Sequence, residues 1–272
     1  MINWLRATIA IVLMAMTPLF QVRAEEVGVV TFGANESPPF WSSNMVKGGM
    51  CGAIVLSASR EAGITTSIKF EPLPRLIQSD VGNDLGNPAF FMGDQDYSAI
   101  IPIAIYQSAL FYYTPNHSEP IAFLGLDDLK KYRIGILKGT LLDRSFFRKH
   151  GITFAESYTQ ESLFRKLKLG RIDLVLEIDL VGHHMIDNLF PGEKDAFGYV
   201  VLPNSANPIT MMLAEETPAV VARKYSDGLK RIIADGSYLK ILEGFYGEGQ
   251  VPEDWFKHLD RYARMYSFGG GE

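Results

Sequence analysis

Apolar residues along this chain come in two rhythms. Alternating or continuous apolar runs over residues 27–34, 65–71, 89–92, 108–113, 132–137, 171–177, 199–203 and 209–214 read as short strands. Helical spacing covers residues 53–62, a stretch from Leu76, residues 141–147, 161–169 and 182–189, and then 218–235, 237–246 and 254–266. Gly63, Gly170 and Gly236 stop three of these helices, as glycine does at a helix end. Residues 83–87, rich in Gly and Asn, read as a loop, and residues 114–120 (TPNHSEP) break the pattern as a crossover between two lobes would. Short strands alternating with helices predict an α/β protein.

Candidate chemistry lies where strands end. Residues 125–140 (GLDDLKKYRIGILKGT) form a helical turn and a strand that ends in Lys138, Gly139 and Thr140 before a helix. Backbone N–H groups at such a corner favour an anion or carboxylate; alternatively Gly139 makes the turn and Thr140 caps the helix. Behind the first strand, Asn35-Glu36-Ser37-Pro38-Pro39-Phe40-Trp41 is a loop held extended by two prolines. Its aromatic pair either plugs the core or faces a ligand at the carboxyl end of the sheet, where ligands bind in open α/β folds. Arg75 follows a strand and begins a helix, so it either reaches that same edge or pairs with a surface carboxylate. Glu177 and Asp179 close the strand over 171–177, placed to hold an amine, a metal or a proton, or simply solvated near a helix start. The adjacent His183 and His184 do not share a helix face, and His117, His150 and His258 have no ligand spacing, so no metal and no cofactor are expected.

The N-terminus changes the compartment. Arg6, the apolar run 7–19 and Val22-Arg23-Ala24 describe a secretory signal cleaved after Ala24. Pro18 interrupts the run before it reaches the roughly 20 apolar residues of a spanning helix, so no stable membrane insertion is expected. Loss of Arg6 and Arg23 with the signal carries the formal charge from −5 to −7, the wrong sign for a nucleic-acid binder. Cys51 is the only cysteine; no internal disulfide can form, and its apolar setting reads as a buried small residue.

The order of these pieces resembles the family 3 extracellular solute-binding proteins, the polar amino-acid receptors of bacterial ABC importers. The likeness rests on the exported N-terminus, Pro38-Pro39-Phe40, Gly49 to Ala53 before a helix, Asp127-Asp128-Leu129 through Lys138-Gly139-Thr140, Leu167 with Gly170-Arg171-Ile172-Asp173, and Asp235-Gly236-Ser237. It implies a two-lobed periplasmic-binding-protein-like α/β fold of type II with two crossovers. Residues 25–117 with 208–272 would make lobe 1 and residues 118–207 lobe 2. It also implies a periplasmic monomer that holds a small polar ligand between the lobes for an ABC permease or a membrane sensor. The ligand residues so implied are Glu36, Phe40, Trp41, Arg75, Asp94, Lys138, Gly139, Thr140 and Glu177. Members that bind α-amino acids carry a carboxylate-binding arginine in the region matching residues 93–102; here that region, GDQDYSAIIP, has no basic residue. Either Arg75 substitutes, or the ligand is cationic or hydroxyl-rich, as Asp94 and Asp96 would favour. An exported dehydratase on the same frame, with Glu177 or Asp179 as acid or base, and a regulatory protein that has lost its ligand are the competing functions.

Overall fold

In the computed structural model the described residues are 28–78, 82–91, 97–117, 119, 121, 125–138 and 144–267. Two five-stranded sheets with their helices form two lobes. The first lobe contains β1 (Val30–Ala34), α1 (Gly49–Ala62), β2 (Thr66–Phe70), α2 (Leu73–Gln78), β3 (Asn83–Gly86) and β4 (Tyr97–Tyr106). The second contains β5 (Ser108–Tyr113), α3 (Leu126–Leu129), β6 (Ile134–Leu137), α4 (Arg144–Lys149), β7 (Phe154–Ser157), α5 (Gln160–Lys168), β8 (Leu174–Ile178), α6 (Asp179–Leu189) and β9 (Phe197–Val201). The chain then returns to the first lobe as β10 (Asn207–Ala214), α7 (Ala219–Ala234), α8 (Ser237–Tyr246) and α9 (Trp255–Ser267).

The strand orders are β2-β1-β3-β10-β4 and β7-β6-β8-β5-β9. Each sheet has three parallel strands and a fourth that runs antiparallel to both of its neighbours, so the lobes are topological copies although the sequence shows no internal repeat. Register also fixes how they face. Asn207, which opens β10, pairs with Tyr106 at the end of β4, and Ser108, which opens β5, pairs with Ile178 at the end of β8. Both crossovers therefore leave from the carboxyl ends of the parallel strands, and the carboxyl ends of the two sheets look at each other across the hinge.

β4 and β7 have no counterpart among the strands read from the sequence, and three further features differ from that reading. First, β5 pairs with β8 and β9, so the chain changes lobes at Gln107 and not at residues 114–120; the lobe boundary after His117 moves back accordingly. The strand pattern runs almost unbroken through Gln107, which hides the change of sheet. Second, residues 83–86 are a strand. Asn83 is satisfied from afar, donating to Thr31 O at 3.2 Å and accepting from Ala214 N and Thr217 Oγ1, both at 3.0 Å. Asp84 is buried and accepts from Tyr97 Oη at 3.0 Å. Third, residues 88–90 are a turn of 3-10 helix, capped by Asn87 Oδ1, which accepts from Ala89 N at 2.9 Å.

The first-lobe core gathers α1, α7, α8 and α9 on one sheet, and Leu180 and Val181 at the start of α6 join it from the second lobe. Cys51 is buried in this cluster and its thiol is pushed up by burial. Helices α1 and α7 cross so closely that a Cβ on Gly228 would lie 2.2 Å from Ala58 O. Gly228→Ala is therefore expected to destabilise the protein by about 1–3 kcal/mol through overpacking, read as a lowered urea midpoint. A loss under about 0.5 kcal/mol would show that the two helices separate freely.

Candidate functional site

The candidate residues stand at or just past the carboxyl ends of strands in each sheet. In the first lobe, the loop after β1 is closed by paired backbone bonds between Ser37 and Trp41 at 2.8 and 3.0 Å. Pro39 O and Phe40 O then accept from Met50 N and Cys51 N, at 2.9 and 3.0 Å, so the first turn of α1 spends these amides on the loop and not on an anion. A side chain at Gly49 would come within 2.7 Å of both carbonyls, which is why a glycine precedes this close approach. Phe40 and Trp41 are 2% and 3% exposed within the first-lobe core, the core placement of the two that the sequence leaves open.

The charged residues are less committed. Glu36 Oε1 accepts from Ser43 N at 2.9 Å and from Ser43 Oγ. Burial pushes its carboxyl up, but these bonds outweigh it and hold the group below its ordinary range. Arg75, in the first turns of α2, is exposed and has no ion pair among the described residues; its field lowers Glu71, which Lys69 bonds and lowers more.

In the second lobe, Lys138 at the end of β6 donates to Tyr158 Oη at 2.9 Å, with its ammonium 4.5 Å from the Tyr158 ring centroid. Tyr158, just past β7, is 80% exposed. Glu177 at the end of β8 accepts from Gln160 Nε2 at 3.1 Å and from Ile178 N at 2.9 Å. Burial pushes its carboxyl up, and those two bonds pull only partly against it. Asp179 follows at the start of α6, 4% exposed, its amide donating to Gln107 O at 2.9 Å. Tyr246 Oη of α8 approaches its Oδ2 at 3.5 Å, while Oδ1 is buried with no hydrogen-bond partner among the described residues. Burial raises this carboxyl to about 6.

Glu36, Arg75, Lys138 and Glu177 thus sit at the carboxyl ends of strands or in the loops after them, on both lobes. Asp94, Gly139 and Thr140 lie outside the described residues. The candidate set read from the sequence omits Tyr158 and Tyr246. An aromatic one residue past a strand and just before the N-cap Thr159 is a legible signal for Tyr158; Tyr246 meets Asp179 from 67 residues away and leaves none. Among the described residues no group of three or more His, Cys, Asp and Glu is placed to hold a metal ion.

Neither a protein-family model nor a curated protein matches the sequence. Solved structures do match the fold. The GluR0 ligand-binding core from Nostoc punctiforme, in complex with L-glutamate, shares 18% identity and covers 80% of this chain and 99% of that chain with a TM-score of 0.58. A histidine kinase sensor domain with similarity to periplasmic binding proteins shares 19% identity, covering 83% and 98%, at a TM-score of 0.59. The arginine-, lysine-, histidine-binding protein ArtJ from Geobacillus stearothermophilus shares 18%, covering 86% and 99%, at 0.56. The chain has the two-lobed periplasmic-binding-protein-like fold. These solved relatives in fold are binding proteins and a sensor domain, and no helix among this chain's described residues is long and apolar enough to cross a membrane.

Proposed function

We propose that the protein is an exported receptor that binds a small amino-acid-like solute between its lobes and presents it to an ABC importer or a membrane sensor. The reading is supported by Arg75, which stands in α2 after the carboxyl end of β2 with no ion pair among the described residues, together with Lys138, Tyr158 and Glu177 at or just past the carboxyl ends of second-sheet strands. A guanidinium with no ion pair among the described residues suits a ligand carboxylate, which it grips with two parallel hydrogen bonds. Glu177, raised by burial, suits an ammonium, which would draw its proton off and restore its charge. Lobe closure around the ligand supplies the differential contacts that binding requires. The known ligands of the solved structures, glutamate for GluR0 and basic amino acids for ArtJ, support the same class. The fold neighbours being binders, we read this chain as a receptor without catalysis of its own.

A thermal-shift screen of the mature protein against amino acids, amines, organic acids and sugars tests the reading. A true ligand at about 100 times its Kd stabilises by about 2.7 kcal/mol, and the shift grows with concentration. Arg75→Ala is expected to weaken the resulting hit by about tenfold or more if it carries a carboxylate. A screen in which no compound gives a concentration-dependent shift removes the proposal; a hit that ignores Arg75→Ala removes this residue's part in it.

A further inference from the structure

The crossovers also wall a second concavity, of about 690 Å³, in the size range of small-molecule sites. One wall is Gln107 with Val201, Leu202, Pro203, Asn204 and Ala206; the other is Asp254 and, on α9, Lys257, His258, Arg261 and Arg264. None of Glu36, Arg75, Lys138 and Glu177 lines it.

Lys257, Arg261 and Arg264 stand at i, i+4 and i+7, one stripe of the helix. Aligned like charges disfavour each other, so such a stripe weakens a helix unless something anionic answers it. The internal answer is incomplete. Asp254, the one acid in the lining, accepts from or pairs with His258 Nε2 at 2.7 Å. Arg264 pairs with Asp260, outside the lining. Arg261 donates to Tyr262 Oη at 3.1 Å and lies over that ring, and Lys257 has no ion pair among the described residues.

The opposite wall is firmly held. Ser205 Oγ accepts from Ser108 N at 3.0 Å and donates to Leu202 O at 2.7 Å, tying one crossover to the other, and Tyr262 Oη donates to Ala206 O at 2.6 Å. A fixed wall and a cationic wall in a chain of net negative charge make a preorganised concave site for negative charge.

We propose that this concavity is a second binding site, for a small multivalent oxyanion, a polycarboxylate or a phosphate, gripped by Lys257, Arg261 and Arg264. Guanidinium forks match both kinds of oxyanion. The site does not depend on what the cleft binds.

Isothermal titration of the mature protein with citrate and, separately, with pyrophosphate, at ionic strength fixed with sodium chloride, tests it. The expected result is saturable one-to-one binding of at least one anion, weakened about tenfold or more by Lys257→Gln with Arg261→Gln. Citrate alone assigns the polycarboxylate, pyrophosphate alone the phosphate. Should that double variant fail to fold by circular dichroism, Arg264→Gln, an exposed side chain, is read instead. No saturable heat with either anion, or a titration unchanged by the substitution, overturns the proposal. Because each site is read with its own substitutions, Arg75→Ala for the cleft and Lys257→Gln with Arg261→Gln here, failure of one site leaves the other's result readable.

Discussion

Trp255→Ala is expected to destabilise the protein by about 3–5 kcal/mol. At an m-value of about 2–3 kcal/mol/M that is a fall of roughly 1–2.5 M in the urea midpoint. Trp255 is 1% exposed at the start of α9, edge-on to Tyr246 with ring centroids 5.6 Å apart. Its Nε1 donates to Tyr238 Oη at 3.0 Å, and that hydroxyl donates to Ile103 O at 2.8 Å. The chain of bonds runs from the last helix through α8 into β4, so the indole fixes the C-terminal helices to the first sheet. Truncation leaves a large cavity and removes the donor together. Trp255→Phe separates the two effects: it keeps most of the ring and forfeits the bond, for about 1 kcal/mol. A loss under about 1 kcal/mol for the alanine variant would mean that α9 docks by other contacts.

Asp179→Asn is expected to raise stability at pH 7.5 by about 1–2 kcal/mol and to leave it nearly unchanged at pH 4.5. The folded pKa of about 6 lies above the ordinary 3.8, raised by burial. Between about pH 4 and 6 the folded protein keeps a proton that the unfolded chain has released, so this residue's contribution is full below that window and is lost as pH rises through it. A rise of about two pKa units corresponds to about 3 kcal/mol; the amide avoids it, less the cost of a buried N–H where Oδ1 now has no hydrogen-bond partner among the described residues. Asp84, buried and likewise raised to about 6 by burial, leaves a residual slope of the same sign in the variant. Urea midpoints measured from pH 4 to 8 check this, and parallel curves for the two proteins would show that Asp179 does not titrate in the window.

Both residues illustrate what local pattern conveys. Helices α5, α7 and α8 and strands β5 and β10 are legible because apolar spacing and glycine stops report burial directly. The strand at Asn83 and Asp84 is not, because its polar residues are satisfied by Thr31, Tyr97, Ala214 and Thr217, partners that no window includes. The change of lobe at Gln107 escapes for the opposite reason: β4 and β5 are one apolar run to the eye, and only pairing separates them. At the candidate site the charged residues are visible as strand-end positions. Their availability is not: Glu36 tied to Ser43 and Arg75 with no ion pair among the described residues look alike in one dimension.

The placement of β10 also decides the order in which the lobes can be completed. Sheet two is encoded without interruption from Ser108 to Val201, whereas sheet one lacks the strand between β3 and β4 until Asn207–Ala214 has been made. A chain emerging amino end first therefore finishes its second lobe while β4 has no strand partner and β3 has an open edge. The half that begins first is closed last.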